Sequence, residues 1–191
     1  MQEFRSALPR FRFIAIALTS LLVVSACARA PKGPESLPAG SEWHEFQGTW
    51  TAAGNRDMMR MGRDRRASIT NFNGSLLLAG PSRPAVGFRA EALLLNDSVT
   101  GMVGRAVWTD EHGDQLYSEL KGEDTATGNK IAGTFLGGTG RYAGATGTYE
   151  FSWRFVLQNE DGNVAGESDG LHGRILVGPP RTPPNAGGPA S

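Results

Sequence analysis

The chain has 191 residues, of which 39% are hydrophobic and 20% are charged, and its 19 basic residues balance its 19 acidic residues. Three arginines and one glutamate lie in the first 26 residues, so residues 27–191 carry 16 basic and 18 acidic side chains. This near-neutral balance lacks the basic surplus typical of proteins that bind nucleic acid, so we predict no nucleic-acid partner.

The first part of the chain has the organisation of an export signal. Arg5, Arg10 and Arg12 precede the apolar run FIAIALTSLLVV at residues 13–24, which is too short to cross a bilayer as a stable helix. The run leads into the sequence VSAC, which ends at Cys27, the only cysteine of the chain. A lone free thiol is unusual in an oxidising compartment, so this cysteine calls for a specific role.

The sequence VSAC resembles a lipobox, in which small residues precede a cysteine whose thiol becomes lipidated. We predict a lipoprotein signal peptide at residues 1–26 and a lipidated tether at residues 27–41, starting from Cys27. Several acyl chains, palmitate among them, would anchor the protein to the outer membrane, facing the periplasm. An ordinary signal peptide that happens to contain a cysteine is the alternative.

Residues 42–178 have the composition of one compact β domain, and residues 179–191 that of a disordered C-terminal tail. Runs of β-branched and aromatic residues are broken at short intervals by Gly, Asn and Asp, without a helical period. We predict an all-β fold, an eight-stranded antiparallel up-and-down β-barrel, because closure removes exposed sheet edges. The predicted strands are 43–53, 66–79, 86–95, 100–109, 115–122, 130–136, 146–158 and 164–177.

The dipeptide Asn73-Gly74 is a strong hairpin signal inside the second predicted strand. A turn there would split the strand and give nine strands in total. We expect a bulge or bend instead, because eight antiparallel strands close evenly and nine do not.

The seventh predicted strand shows the clearest alternation, with Tyr149, Phe151, Trp153 and Phe155 on one face. We predict that these rings line a ligand pocket in the lumen, with Trp108 as a further contributor. The alternative is that the rings fill the barrel, since barrels of this size hold either side chains or one small ligand. Trp153→Ala would fold nearly normally in an open pocket, but would cost about 3–5 kcal/mol in a filled barrel.

The segment GNRDMMRMGRDR at residues 54–65 is long for a hairpin loop and combines Arg with Met. A solvated loop at the barrel mouth is one interpretation. We also consider a lid, in which Met adapts to apolar ligands and Arg binds a carboxylate or another anionic headgroup. The candidate lid residues are Arg56, Met58, Met59 and Arg60.

The sequence GTFLGGTGRYAGATG at residues 133–147 resembles the Gly-rich turn of the allene oxide cyclase and dirigent-like barrel superfamily. Its glycines permit a tight, partly left-handed passage across a barrel end, and Tyr142 packs back on it. Two further segments, 64–69 and 107–114, are similar to exported bacterial members, and the resemblance spans residues 46–177. It implies an eight-stranded, often homo-oligomeric barrel whose lumen holds a small hydrophobic molecule. Plant members cyclise a fatty-acid epoxide or steer radical coupling.

A second resemblance leads to a related expectation. The sequence FQGTW at residues 46–50 is similar to the first-strand G-x-W motif of lipocalins and avidin-like barrels. There an arginine of the last strand stacks on the tryptophan, which would place Arg174 on Trp50. This alternative also implies a barrel that holds a ligand.

No residue is predicted to be catalytic. The sequence GESDG at residues 166–170 has nucleophile-elbow spacing, but it leads into a strand and not into a helix. His44, His112 and His172 lack metal-ligand spacing, so we predict no metal and no cofactor. The leading hypothesis is a membrane-anchored lipoprotein that binds a small hydrophobic ligand without catalysis. The alternatives are a cyclase or isomerase acting on a lipid-derived substrate in the lumen, and a structural envelope lipoprotein with a filled barrel.

Overall fold

The structure is a computed structural model that describes residues 40–125 and 128–178. The predicted signal peptide, Cys27, nearly all of the tether and the C-terminal tail lie outside these residues. No helix in the described part of the chain is long and apolar enough to cross a membrane. The elements are β1 (Glu42–Met61), β2 (Arg65–Ala79), β3 (Gly87–Asp97), β4 (Gly101–Thr109), β5 (Gln115–Thr125), β6 (Gly128–Gly138), a 3-10 turn (Gly140–Tyr142), β7 (Thr146–Gln158) and β8 (Asn163–Val177).

The eight strands form a closed antiparallel barrel. Each strand pairs with the next one along the chain, and β8 returns to pair with β1. The closing ladder runs from Glu42 opposite Val177 to Asn55 opposite Asn163. The predicted eight-stranded up-and-down barrel is therefore confirmed, and seven strands begin and end within three residues of their predicted bounds.

β2 passes through Asn73-Gly74 without interruption. Its ladders with β1 and β3 show no register shift there, so neither a ninth strand nor the expected bulge forms. Gly74 instead permits a close approach of two strands, because a Cβ at this position would lie 2.0 Å from the carbonyl oxygen of Thr51. Packing of the barrel wall thus overrides the local turn preference of the dipeptide.

The two ends of the barrel carry different connections. The end that we call the turn end holds the start of β1, the β2–β3 loop, the β4–β5 turn, the Gly-rich β6–β7 turn and the end of β8. The opposite end, the arm end, holds the β1–β2 hairpin and the β3–β4 and β7–β8 turns. The predicted tether therefore joins the barrel at the turn end.

Side chains fill the lumen. Aromatic rings from β1, β4, β6 and β7 are buried together with the small side chains of Ala90, Ala92 and Ala106 on β3 and β4. The cavity that remains at the centre has a volume of about 10 Å³, roughly the space of one water molecule. The centre of the barrel is thus filled, as in the second of the two alternatives for the aromatic rings.

Candidate functional site

The predicted pocket residues lie on the lumen side of the barrel wall. Trp108, Tyr149, Phe151 and Trp153 are each only 4% exposed, whereas Phe155 is half-buried against the core. Phe155 differs because the β7–β8 ladder shifts register directly after it, at the arm end. The buried rings pack against one another, so an open pocket between them is not part of this structure.

One group of rings, which we call the turn-end cluster, surrounds Trp108. The Trp108 ring lies 4.7 Å from the Tyr149 ring and 5.2 Å from the Phe135 ring, measured between centroids. The Tyr149 hydroxyl shares a 2.7 Å hydrogen bond with Ser118 Oγ, and burial raises the pKa of Tyr149. The members of the turn-end cluster are Phe46, Phe88, Trp108, Phe135, Tyr142 and Tyr149.

Asp110, whose side chain is fully buried, ties the β4–β5 turn to the Gly-rich turn. Its carboxylate accepts hydrogen bonds from Arg141 Nε at 2.9 Å and Nη2 at 2.5 Å, and from the backbone N–H groups of His112 and Asp114. Burial disfavours the ionised form, but Arg141 and these N–H groups outweigh it, so the pKa of Asp110 lies below its ordinary value. The Arg141 guanidinium also covers the buried Tyr142 ring at 5.0 Å. The Gly-rich motif therefore closes the turn end.

A second group of rings, the arm-end cluster, lies at the opposite end of the lumen. Trp153 lies 5.0 Å from Trp50, 4.8 Å from Phe72 and 6.2 Å from Phe155, again between ring centroids. The members of the arm-end cluster are Trp50, Phe72, Phe151, Trp153 and Phe155.

Trp50 and Phe72 were not among the predicted pocket residues. The signal that could have identified Trp50 is the alternation of Phe46, Trp50 and Ala52 along β1, all of which are buried. Gly48 interrupts this alternation, and its lack of a side chain permits close packing: a Cβ there would lie 2.6 Å from the Leu77 carbonyl oxygen.

Three buried hydrogen-bond donors of the arm end have no partner among residues 40–125 and 128–178, which the structure describes. They are Nε1 of Trp50, Nε1 of Trp153 and Nε of Arg56. Indole and guanidinium N–H groups can only donate, and a buried donor without an acceptor costs about 1–3 kcal/mol. The Tyr142 hydroxyl of the turn end also has no partner at full hydrogen-bond geometry, although Asp110 and Arg141 lie beside it, and a phenol can both donate and accept. The arm end thus combines three buried donor groups that lack an acceptor among the described residues.

Arg56 lies beside the arm-end cluster. Its guanidinium carbon is 5.7 Å from the Phe155 ring centroid. Arg56 Nη1 donates to Gln158 Oε1 at 2.9 Å, and the Arg56 backbone N–H donates to the Gly162 carbonyl at 2.8 Å. The structure therefore brings together two groups that were predicted separately, the aromatic row of β7 and the first residue of the candidate lid.

The prediction that residues 54–65 form a loop is wrong. β1 continues to Met61 and pairs residue by residue with β2, so only residues 62–64 form the turn. Residues 56–61 lack the apolar alternation typical of strands. β1 has no β8 partner beyond Asn55, so this part of the strand has little core to pack against. We call this hairpin, residues 56–70, the arm; its β1 strand extends past the β8 ladder, whereas its β2 strand stays paired with β3 from Ala67 onward.

The candidate lid residues therefore lie on a strand of the arm. Arg56, Met58 and Arg60 continue the lumen-facing side of β1, and Arg66 pairs with Arg60 across the hairpin. Met58 and Met59 are 57% and 64% exposed. Within the described residues Arg60 and Arg66 make no ion pair, so the lumen-facing side of the arm is cationic.

The expected stacking of Arg174 on Trp50 is wrong. The Arg174 guanidinium lies 4.9 Å from the ring centroid of Trp43, on the outer face of the barrel. Trp50 points into the lumen, because it alternates with the outward-facing Thr49 and Thr51 along β1. The G-x-W resemblance thus identified a buried tryptophan but not its partner.

The residues that resemble catalytic or metal-binding motifs have other contacts. Ser168 of the sequence GESDG lies within β8, and its Oγ accepts a 2.7 Å hydrogen bond from the Trp50 backbone N–H. In the described part of the chain no three His, Cys, Asp or Glu side chains come together as metal ligands would. The arm end is therefore the candidate functional site, and it offers donors, cations and apolar rings.

Comparison with known proteins gives a limited result. No protein-family model and no curated protein sequence match the chain. Among solved structures, that of a pterocarpan synthase dirigent protein is similar, with a TM-score of 0.48 and 12% sequence identity. The alignment covers 81% of this chain and 100% of that chain. No functional residue is transferred from it.

Proposed function

We propose that this chain is a membrane-anchored periplasmic lipoprotein that binds, without catalysis, a small apolar molecule with an anionic head. The ligand is held at the arm end of the barrel. The observation that carries this proposal is the pair of buried, unpartnered indole N–H groups of Trp50 and Trp153 beside a cationic arm.

The head of the ligand is assigned by charge and hydrogen bonding. Arg60 and Arg66 are exposed cations on the lumen-facing side of the arm, and Arg56 Nε is a buried donor without an acceptor. A carboxylate offers several acceptor positions and binds the planar donor set of arginine in bidentate geometry. A carboxylate at the base of the arm accepts from Arg56 Nε, and Arg60, about 13 Å further along β1, adds positive charge that attracts it.

The tail of the ligand is assigned by the apolar surface beside these donors. Phe155 is the half-buried ring of the cluster, and Met58 is exposed on the same side of the arm. Because the centre of the lumen is packed, the tail lies between the arm and Phe155. The Phe155 side chain changes its rotamer to make room for the tail. The arm then acts as the predicted lid, although it is built as a hairpin.

The proposal is non-catalytic because of the side chains available there. The arm-end cluster consists of aromatic residues, and the lumen-facing side of the arm adds Arg, Met, Ser and Thr. None of these described residues supplies the carboxylic acid or imidazole that most often acts as an acid or base. A cyclase or isomerase in the centre of the lumen would also need space that the packed rings occupy.

The test of the ligand class is calorimetric titration of the mature chain with two amphiphiles that share a tail. We expect dodecanoate to bind at least tenfold more tightly than dodecyltrimethylammonium, because only the first carries an anionic acceptor head. Replacing both Arg60 and Arg66 with Gln should weaken dodecanoate binding about tenfold. The matched control replaces two exposed arginines of the outer wall, Arg89 and Arg105, and should leave binding unchanged. Equal binding of both amphiphiles, or of neither, contradicts the proposal.

The anchor is tested separately, by metabolic labelling with a palmitate analogue. The wild-type protein should be labelled and membrane-bound, and Cys27→Ser should lose both properties, because the thiol is the attachment point. A Cys27→Ser protein that remains labelled contradicts the lipoprotein assignment. This result is independent of the ligand test, since it reads lipid attachment at Cys27 and not binding at the arm end.

Self-association is a further part of the proposal. Ile69, Leu95 and Val103 form one row across the outer faces of β2, β3 and β4, and they are 53%, 47% and 47% exposed. An apolar row of this kind favours an interface between copies of the chain. Light scattering should show an oligomer that Leu95→Lys dissociates and that Val156→Lys, on β7, does not. A wild-type monomer contradicts this part.

A further inference from the structure

A second concave surface lies on the outer wall of the barrel near the turn end. It is a cleft of about 740 Å³ that crosses β6, β7, β8 and β1 and is bordered by the β2–β3 loop. Ser82 fixes this border: its Oγ accepts from the Glu45 backbone N–H and donates to the Glu45 carbonyl, both at 3.1 Å. The Ser82 carbonyl also lies 2.6 Å from His44 Nδ1. The volume is in the range of small-molecule sites.

The strand register explains how the cleft is built. Its floor is the backbone of a row of residues whose side chains point inward, and each wall is a row of outward-facing side chains. The floor consists of Gly133, Tyr149, Gly173 and Phe46. The first wall consists of Thr134, Thr148, Arg174 and Glu45. The second wall consists of Ala132, Glu150, His172 and Gln47.

The charges in the walls compensate one another. Glu150 forms an ion pair with Lys130 Nζ at 3.1 Å, and its carboxylate also lies 3.3 Å from His172 Nε2. The hydrogen bond from Lys130 is the main reason that the pKa of Glu150 lies below its ordinary value. On the first wall Glu45 stands opposite Arg174 in the ladder. A balanced set of charges gives no net attraction for an anion or a cation, so the cleft favours a neutral polar ligand.

We propose that this cleft binds a short neutral oligosaccharide. The walls combine the hydroxyl groups of Thr134 and Thr148 with carboxylate, amide, imidazole and guanidinium groups, which together match the donors and acceptors of sugar hydroxyls. Beside the cleft, Trp43 is 45% exposed with Arg174 on its ring, and it offers a flat apolar face to a pyranose. The cleft crosses three inter-strand spacings, about 14 Å, enough for two or three pyranose rings.

An extended peptide is a weaker fit to the same cleft. Peptides commonly bind sheets by adding a strand to a free edge. The described strands of this barrel close on one another, and the floor of the cleft is formed by residues paired in the β7–β8 and β8–β1 ladders. Binding in the cleft must therefore use side chains, which favours a ligand rich in hydroxyl groups.

The test is calorimetric titration of the mature chain with chitotetraose, cellotetraose and maltotetraose at millimolar concentration. We expect at least one of them to bind, and Trp43→Ala and Arg174→Ala each to weaken that binding about tenfold. Arg105→Ala, on the outer wall of β4, is the matched control and should bind like wild type. Binding of none of the three sugars overturns the inference, and so does an equal loss in Arg105→Ala.

A second readout separates this inference from the proposed function. Arg174→Ala should leave dodecanoate binding unchanged, because Arg174 lies outside the arm end. The Arg60 and Arg66 double variant should leave sugar binding unchanged for the same reason. Loss of sugar binding in the arm variant would place the sugar at the arm end and overturn the cleft assignment.

Discussion

At the turn end of the barrel, Asp110 is buried against Arg141 and the Tyr149 hydroxyl is bonded to Ser118, whereas the indole N–H groups of Trp50 and Trp153 at the arm end face no acceptor. Both ends are lined by aromatic rings of the same types. They differ in the kind of polar atom left without a partner: at the arm end these groups can only donate, whereas at the turn end it is the Tyr142 hydroxyl, which can also accept. Sites that violate such local rules are where functional constraints are expected. We therefore assign the turn end to the stability of the fold, and the arm end is the site at which we propose that the ligand binds.

The largest effect should come from deleting a ring of the turn-end cluster. Trp108→Ala removes a ring that is 4% exposed and in contact with four other rings. We expect the free energy of unfolding in urea to fall by about 3–5 kcal/mol. Phe155→Ala should cost only about 1–2 kcal/mol, because this ring is half-buried. Equal losses at Trp108 and Phe155 would show that Phe155 is packed as tightly as the rings of the turn-end cluster.

Truncating Trp153 tests whether the lumen is filled at the arm end as well. Its burial predicts that Trp153→Ala also lowers the free energy of unfolding by about 3–5 kcal/mol, as expected for a filled lumen. A variant that folds with nearly wild-type stability in urea titration would instead support the open pocket.

The ion pair of the turn end should give the next effect. Asp110→Ala removes two hydrogen bonds from Arg141 and the capping of the N–H groups of His112 and Asp114. We expect a loss of about 2–3 kcal/mol in urea unfolding, discounted because Arg141 is one-third exposed. Asp161→Ala is the matched control, because Asp161 caps the exposed β7–β8 turn with no ion pair in the described structure. A comparable loss in both variants would contradict the assigned role.

The same ion pair predicts a dependence of stability on pH. Because the folded-state pKa of Asp110 is below its ordinary value, its contribution is fully present above the unfolded-state pKa of about 4. The contribution disappears as the pH falls through the folded-state pKa. Thermal denaturation between pH 7 and pH 2 should therefore show a smaller acid-induced loss in Asp110→Ala than in wild type. If the melting temperatures of wild type and Asp110→Ala fell in parallel with pH, protonation of the Asp110 carboxylate would not contribute to the loss of stability in acid.

The smallest effect on stability should come from removing an unpartnered donor while keeping an aromatic ring. Trp153→Phe eliminates the N–H group without an acceptor, which offsets part of the lost packing. We expect a change within about 1 kcal/mol in urea unfolding, together with weaker dodecanoate binding. Trp108→Phe is the control and should leave that binding unchanged. A large loss of stability with unchanged binding would show that the Trp153 N–H has no role in binding.

The barrel and most strand bounds could be predicted from the sequence, because alternation along strands with one buried face is a strong signal. The arm could not be predicted, because Arg56–Met61 extends beyond the β8 ladder. Its Met, Arg and Asp residues do not show the apolar alternation typical of a strand. The filled lumen could not be predicted either. Alternation shows which rings face inward, as at Tyr149, but the space between rings depends on residues such as Ala90 on other strands.

The set of three unpartnered donors at the arm end was equally invisible in the sequence. It arises because Trp153 on β7 packs beside Trp50 and Arg56 on β1, about a hundred residues earlier in the chain. Whether each N–H group has an acceptor depends on the packed geometry around it. Among the sequence predictions, only the candidate lid residues indicated positive charge at the arm end.

The most direct test of the arm-end site is nuclear magnetic resonance of the indole N–H groups during a titration with dodecanoate. The chain has four tryptophans, and each signal is assigned by a Trp→Phe variant. A carboxylate at the arm end predicts large shifts for the Trp50 and Trp153 signals and unchanged signals for Trp43 and Trp108. Unchanged Trp50 and Trp153 signals at saturating dodecanoate would contradict the account, as would shifts confined to Trp108.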